Sequence, residues 1–503
     1  MGPGVSFFDF DNDGWMDVLL VNSGLSDFYR PSAKPRNGLY RNNRNGTFTD
    51  VTGPAGVAGG DSFGMGVAVG DYDNDGYPDV FVTAYGRCVL YHNNRNGTFT
   101  DVTSRAGVAS PGWTTSALWF DYDGDGLLDL FVASFVQYAK ESQKLCLQAS
   151  GGLIRYCVPR MFRPTPSFLY KNNGEGTFRE VSRETGLAAK LGKALGVVAT
   201  DIDNDGRMDL FVANDTVENF LFVNRGQGWE DIALGAQVGV SSDGWARSGM
   251  GVDAADIDGD GWQDLFVSNL DKELFALYRN TGLGFFEDLA FGGEIGSATY
   301  DLSGWGLKFF DFDDDGAPDL ILANGHPDDK VSERSPATRY REPMLLFRGQ
   351  DRRFRNVSAE AGRPFRGAYS ARGLAIGDYN NDGRADVLVG MNGGAPLLLE
   401  NHAGPENHWV GIRLRGVTAN RDGVGATITW EAAGLRRSRL KTAGGSYLSA
   451  HDPREILGLG AARRVDWVEV RWPAPSVRVE RFSAPAPDTY TTLVEGQGKR
   501  VAQ

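Results

Sequence analysis

The chain has 503 residues, 41 % of them apolar and 11 % aromatic, which supplies several hundred residues of packed core and excludes a disordered chain or a disulfide-scaffolded miniprotein. Its 65 acidic residues against 51 basic ones leave a net charge of −14, which argues against nucleic acid as the partner. No apolar run approaches the ~20 residues that cross a bilayer as a helix.

Along the chain a nine-residue string, Asp-x-Asp-x-Asp-Gly-x-x-Asp, recurs seven times. Counting position 7 as a backbone ligand, the copies are Asp9, Asp11, Asp13, Trp15 and Asp17; Asp71, Asp73, Asp75, Tyr77 and Asp79; Asp121, Asp123, Asp125, Leu127 and Asp129; and Asp201, Asp203, Asp205, Arg207 and Asp209. Then come Asp256, Asp258, Asp260, Trp262 and Asp264; Asp311, Asp313, Asp315, Ala317 and Asp319; and Asp378, Asn380, Asp382, Arg384 and Asp386. These motif positions hold 27 of the 65 acidic residues. Such density in one turn repels itself unless a cation offsets it, and alternating carboxylates followed by Gly suit a hard ion, calcium above all. The mixed identities at position 7 suit a backbone carbonyl ligand. One divalent ion per loop would cancel the chain's −14.

An EF-hand would need a Glu at position 12, where these loops have Leu20, Val82, Val132, Val212, Val267, Leu322 and Val389. Instead each loop sits between strands. A small-residue strand such as Gly66-Val67-Ala68-Val69 leads in and an apolar run such as Asp79-Val80-Phe81-Val82 follows. A Leu-Tyr strand comes next (Leu39-Tyr40-Arg41-Asn42, Leu90-Tyr91-His92-Asn93), then a turn such as Asn45-Gly46 and a strand of the Thr-Phe-Thr-Asp-Val type. Four short strands per roughly fifty residues predict a β-propeller blade, and seven units predict seven blades. The expected class is all-β, with a seven-bladed propeller over 1–403 and a small β-sandwich or barrel over 404–503.

Only six outer strands can be counted, ending near Val51, Val102, Val181, Ile232, Leu289 and Val357. The expectation is therefore that the chain is a fragment, or that the seventh blade borrows His408 to Leu414, or that it stays three-stranded. A truncated start would also have removed any signal peptide.

The repeats resemble the FG-GAP or VCBS repeats of integrin α-subunit heads, and the chain as a whole is similar to the cartilage acidic protein group of the ASPIC/UnbV family. Asn172-Asn173-Gly174-Glu175-Gly176-Thr177-Phe178, Asn214-Asp215-Thr216, Gly249-Met250-Gly251-Val252-Asp253 and Asn324-Gly325-His326 carry this likeness. Towards the C-terminus it continues in Asn420-Arg421-Asp422-Gly423-Val424-Gly425-Ala426, Gly444-Gly445-Ser446-Tyr447-Leu448-Ser449 and Val470-Arg471-Trp472-Pro473. The resemblance implies a calcium-stabilised, exported propeller that binds a glycan or an extracellular protein, with up to seven mainly structural calcium ions. Secretion, the periplasm or the cell surface follows as its location.

The longest insert, Ser134 to Pro166, holds Cys146 and Cys157; their spacing alone allows a disulfide, two buried thiols or a metal site. Related family members often carry a Cys pair here, which implies a disulfide. Further inserts, Gly24 to Arg36 and Gly325 to Pro343, fall at the same place in their units, so all three are expected on one face. In the last of them His326, Asp328 and Asp329 with Arg339, Tyr340 and Arg341 are the candidates for an enzymatic alternative, a lyase, hydrolase or tailoring enzyme acting on that face. After Gly404 the charge turns positive, and the cluster Arg436, Arg437, Arg439 and Lys441 is read as a solvated strand face, an acidic-glycan contact or a dock onto the acidic propeller.

Overall fold

The computed structural model describes residues 2–26, 30, 32, 35–139, 146–147, 154–155, 157–333, 335–350 and 353–501. Much of the longest insert lies outside them. The chain is all-β, and its first four hundred residues form small antiparallel sheets whose strands follow one another in sequence order. Among the described residues there are seven such sheets. Their first strands are Val5–Phe8, Phe63–Gly70, Thr114–Phe120, Ala194–Thr200, Val252–Ala255, Gly304–Phe310 and Ala371–Gly377. Each first strand packs on those of the neighbouring sheets, and Val5–Phe8 packs on Ala371–Gly377, which closes a ring.

The apolar runs after the loops explain this arrangement. In Asp209–Asn214 the side chain of Phe211 enters the layer shared with the fifth sheet, while Leu210 and Val212 enter the layer shared with the third. A strand buried on both faces must be apolar at every position rather than at alternate ones. The propeller core is accordingly a set of seven apolar layers, one between each pair of neighbouring sheets. The seventh sheet has three strands, Ala371–Gly377, Asp386–Met391 and Leu397–Leu399. It does not borrow His408 to Leu414: the strand His408–Arg415 pairs antiparallel with Glu455–Gly460 and parallel with Tyr490–Val494, inside the C-terminal β-structure. Those three strands form one sheet, and Thr427–Ala432 lies in a second, five-stranded one, around a core that includes Ile428, Trp430, Val468 and Trp472. The insert cysteines Cys146 and Cys157 are joined by a disulfide.

Closing a ring leaves the channel edge of every first strand with unpaired backbone groups, and buried backbone groups need partners. The C-terminal part provides them with one segment, 443–452, that threads the channel. Ala443–Gly444 pairs with Ala199 and Val198 of the fourth sheet. Val252 N–H donates to Ser446 O at 3.1 Å, Val67 N–H to Leu448 O at 3.0 Å, and Ala450 N–H to Val5 O at 3.1 Å. Leu448 N–H donates to Ser116 Oγ, Leu307 N–H to Ser446 Oγ, and Asp452 N–H to Ile376 O. All seven sheets are thus bonded to this plug. Gly445 is required where the segment passes Asp253: its φ is +85°, and an added Cβ would stand 2.4 Å from Asp253 Oδ1. At the tip Tyr447 and Leu448 are fully buried against Met65, Leu195, Met250 and Trp305.

Replacing Leu448 with Ala should lower unfolding free energy by about 2–5 kcal/mol, as expected for a cavity in a packed core. Urea denaturation measures it, and a loss below about 0.5 kcal/mol would show that the plug tip contributes no packing.

Candidate metal centres

The seven acidic loops lie on the face where the C-terminal β-structure sits, and each is folded by its own carboxylates. At position 1, Asp9 accepts the Asp13 N–H on Oδ1 and the Gly14 N–H on Oδ2, both at 2.9 Å. The same pair of bonds forms at Asp71, Asp121, Asp201, Asp256, Asp311 and Asp378. Position 5 accepts the N–H of position 7 in every copy, that is Trp15, Tyr77, Leu127, Arg207, Trp262, Ala317 and Arg384. Position 9 reaches across to the third strand, where Asp17 accepts Asn42 N–H at 2.7 Å, with equivalents at Asp79, Asp129, Asp209, Asp264, Asp319 and Asp386.

These bonds hold the carboxylates together at a spacing that suits one cation. Oxygens of Asp71, Asp73 and Asp79 lie within 4.8 Å of one another, as do those of Asp121, Asp123 and Asp129, of Asp201, Asp203 and Asp209, and of Asp9, Asp11 and Asp13. Asp11 Oδ1, Asp79 Oδ2, Asp203 Oδ1 and Asp313 Oδ1 are buried and meet no donor. Buried carboxylate oxygens without donors are costly, and a hard divalent cation is the kind of group that would supply what they lack. Basic side chains offset part of the charge: Arg44 lies 2.7 Å from Asp13, Arg348 2.6 Å from Asp313, and Lys171 bridges Asp123 and Asp125. His92 Nδ1 stands 3.2 Å from Asp79 Oδ1, and that contact raises its pKa.

Three features escaped the motif reading. Position 4 adopts the left-handed conformation in all seven loops, at Asn12, Asn74, Gly124, Asn204, Gly259, Asp314 and Asn381, all types that tolerate it. Four of these Asn side chains donate to the carbonyl of the Gly in an adjacent loop, as Asn12 does to Gly76 at 2.8 Å. Second, the Asn ending the Leu-Tyr strand links sheets: Asn172 Nδ2 donates to Leu128 O in its own sheet and to Tyr72 O in the preceding one. Asn42 bonds Tyr379 O and so closes the ring from the first sheet to the seventh. Third, the seventh loop, which has Asn380 at position 3, has a carboxylate close by from the residue just after its third strand. Glu400 Oε1 lies 3.5 Å from Asn380 Nδ2, and Tyr379 OH donates to Oε2.

On the opposite face His326 Nδ1 accepts the Asp328 N–H, and its Nε2 lies 3.3 Å from Asp271, a residue of the neighbouring unit, rather than beside the carboxylates of its own insert. Tyr340 OH accepts from Asn392 Nδ2, and Arg339 donates to Pro336 O. The basic cluster of the C-terminal part faces the loops: Arg437 donates to Asp315 O at 3.1 Å, and Arg439 Nη1 donates to Ile456 O.

A model of FG-GAP-like repeats matches residues 9–82, 71–132, 162–212, 201–267 and 256–322, and one for ASPIC and UnbV matches 416–500. Cartilage acidic protein 1 of Xenopus tropicalis is 24 % identical over 459 residues, covering 79 % of this chain and 66 % of its own length. Integrin alpha-6 of Gallus gallus is 30 % identical over 146 residues, 27 % of this chain and 13 % of its own length. The chain therefore spans under two thirds of these relatives. Among solved structures, an Agrocybe aegerita lectin that recognises non-reducing terminal N-acetylglucosamine aligns at a TM-score of 0.41 and 15 % identity, over 70 % of this chain and 79 % of its own.

Burial pushes Asp79 up to about 7, Asp17, Asp209, Asp264 and Asp386 to about 8, and Asp319 to about 9. A carboxyl raised in the folded state stabilises the fold below its unfolded value near 4, and that stabilisation is lost as pH rises through 7 to 9. Metal-free protein should therefore melt at a lower temperature at pH 8 than at pH 5, and thermal melts in EDTA check this. A melting temperature that rises over that range would contradict buried, repelling carboxylates.

Proposed function

Since the chain belongs to the FG-GAP-like repeat family and also carries an ASPIC and UnbV domain, we propose that it is a calcium-organised extracellular binding or adhesion module. The observation that carries the reading is the set of seven loops in which backbone donors hold the Asp residues at positions 1, 5 and 9 while buried oxygens such as Asp11 Oδ1 and Asp203 Oδ1 meet no donor. In each loop the ligands are the side chains at positions 1, 3, 5 and 9 and the carbonyl at position 7, with Glu400 supporting the seventh. Calcium here is structural: it neutralises each loop and holds two strands of a sheet together, which couples metal binding to folding. Sites of about 10⁻⁴ to 10⁻³ M fill at extracellular calcium levels. The disulfide in the longest insert suits an oxidising compartment, and among the described residues no helix is long and apolar enough to cross a membrane.

The ligand in this reading is a glycan or an extracellular protein, engaged by a propeller over 1–403 to which the segment 404–503 is docked. Similarity to integrin alpha-6 and cartilage acidic protein 1 supports the binding role.

Thermal melts at neutral pH with about 1 mM calcium and with EDTA test the reading. Chelation should lower the melting temperature by about 10 °C, and calcium should restore it, because ions that bind the native state alone stabilise it by mass action. An unchanged melting temperature after complete calcium removal would sink it. On the same sample, a glycan array that is silent in calcium and in EDTA alike would leave a protein as the ligand.

A further inference from the structure

Adjacent acidic loops are tied by one repeated bond. The position-4 side chains of Asn12, Asn74, Asn204 and Asn381 each donate Nδ2–H to the carbonyl of the position-6 glycine in the next loop, at 2.8, 3.2, 3.0 and 3.0 Å. The third and fifth loops have Gly124 and Gly259 at position 4 and bring no side chain to the joint. Between the sixth and seventh loops the residue is Asp314, and the corresponding carbonyl is that of Gly383. A carboxylate accepts hydrogen bonds and donates none, so the bond that ties the other loops does not form there.

Asp314 has the backbone of its counterparts, with φ at +57° as at Asn12 and Asn381, so its Cβ leaves the loop in the same direction. Two charges of the seventh loop act on it, Asp382 and Arg384, and these flank Gly383. The residue is 1 % exposed, and both of its carboxylate oxygens are buried without a donor. The strand that covers it supplies none. Glu455–Gly460 gives the Gly460 N–H to the backbone oxygen of Asp314, and an added Cβ at Gly458 would stand 2.7 Å from Asp314 C. Arg384 is committed elsewhere, donating Nε to Ala403 O at 2.9 Å and lying 3.6 Å from Asp382. Asp311 and Asp313 add repulsion from its own loop. A buried carboxylate without a donor, set against the next loop and among further carboxylates, is costly as it stands. Hard cations bind such combinations of carboxylate and carbonyl oxygens.

We propose that the joint between the sixth and seventh loops is a further calcium site, beside the seven loop sites, in which the Asp314 carboxylate and the Gly383 carbonyl share one ion. It rests on the calcium reading above for the identity of the ion. The ion does at this joint what the Asn amide does at the others: it ties one loop to the next, beneath the strand Glu455–Gly460.

Equilibrium dialysis of the full chain and of two variants tests this. Asp314→Asn and Asp314→Gly place at position 4 the residue types that other loops carry there, both compatible with a left-handed backbone. At about 1 mM free calcium each variant should bind one ion fewer than the unaltered chain, and the deficit should persist at about 10 mM. In EDTA, Asp314→Asn should melt at or above the unaltered chain, because its amide restores the missing bond, and its melting temperature should rise less when calcium is added. Equal counts in the three chains overturn the proposal; a carboxyl that keeps its proton and donates to Gly383 O gives that result. A deficit that vanishes at about 10 mM calcium assigns the loss to weaker binding in a neighbouring loop and overturns it too. If chelation leaves the melting temperature of the unaltered chain unchanged, the calcium reading falls and this site with it. If chelation lowers that temperature and the counts are equal, the loop sites stand and the bridging ion alone falls.

Discussion

Three or four carboxylates held within nine residues, seven times over, are the constraint on which the rest of this molecule depends. The fold does not relieve their repulsion by spreading them out. Backbone N–H groups at positions 5, 6 and 7 and at the end of the third strand instead fix the Asp side chains in place, so that charge is concentrated by design of the turn. A divalent cation is the economical solution to such a geometry, because it converts mutual repulsion into shared coordination. Basic neighbours such as Arg44, Arg348 and Lys171 offset part of the charge, yet an exposed ion pair is worth little and supplies no ligand shell.

The same loops connect the ring. Asn side chains at position 4 and at the end of the third strand bond to carbonyls of adjacent sheets, so that the order of one loop supports the next. The C-terminal part then rests on this face: Asp71 N–H donates to Asp422, Arg454 reaches Asn381 and Asp378 O, Tyr490 OH donates to Asp378 Oδ2, and Gly460 N–H donates to Asp314 O. From that platform the segment 443–452 enters the channel and pairs the free edges of the first strands. Loop order, docking of the C-terminal part and channel closure therefore form one chain of dependence, with the acidic loops at its base.

Much of this was legible in the sequence because it is local. The spacing of Asp and Gly identifies each loop, the apolar runs after Asp79 or Asp209 identify strands buried on both faces, and a seven-fold count follows from repetition. What was not legible depends on distant partners. The Gly-Gly-Ser-Tyr-Leu-Ser stretch reads as a family signature, and only its fit against Val197, Asp253 and Leu374 shows why two glycines and a serine are needed. His408 to Leu414 has the pattern of any half-buried strand, so its pairing with Glu455–Gly460 could not be separated from a place in the seventh sheet. Asn380 reads as a lost ligand until the third strands are compared, where Arg41, Lys171, Arg279 and Arg348 stand at the place that Glu400 takes in the seventh sheet. The side chains at position 4 carried a usable signal, since all seven are Asn, Asp or Gly.

The most direct test of the central claim is the number of calcium ions bound per chain, measured by equilibrium dialysis at about 1 mM free calcium, a level at which even weak extracellular sites fill. A cation in each acidic loop predicts a stoichiometry close to seven. A value of one or none, in protein that is folded in the same buffer, would contradict the account.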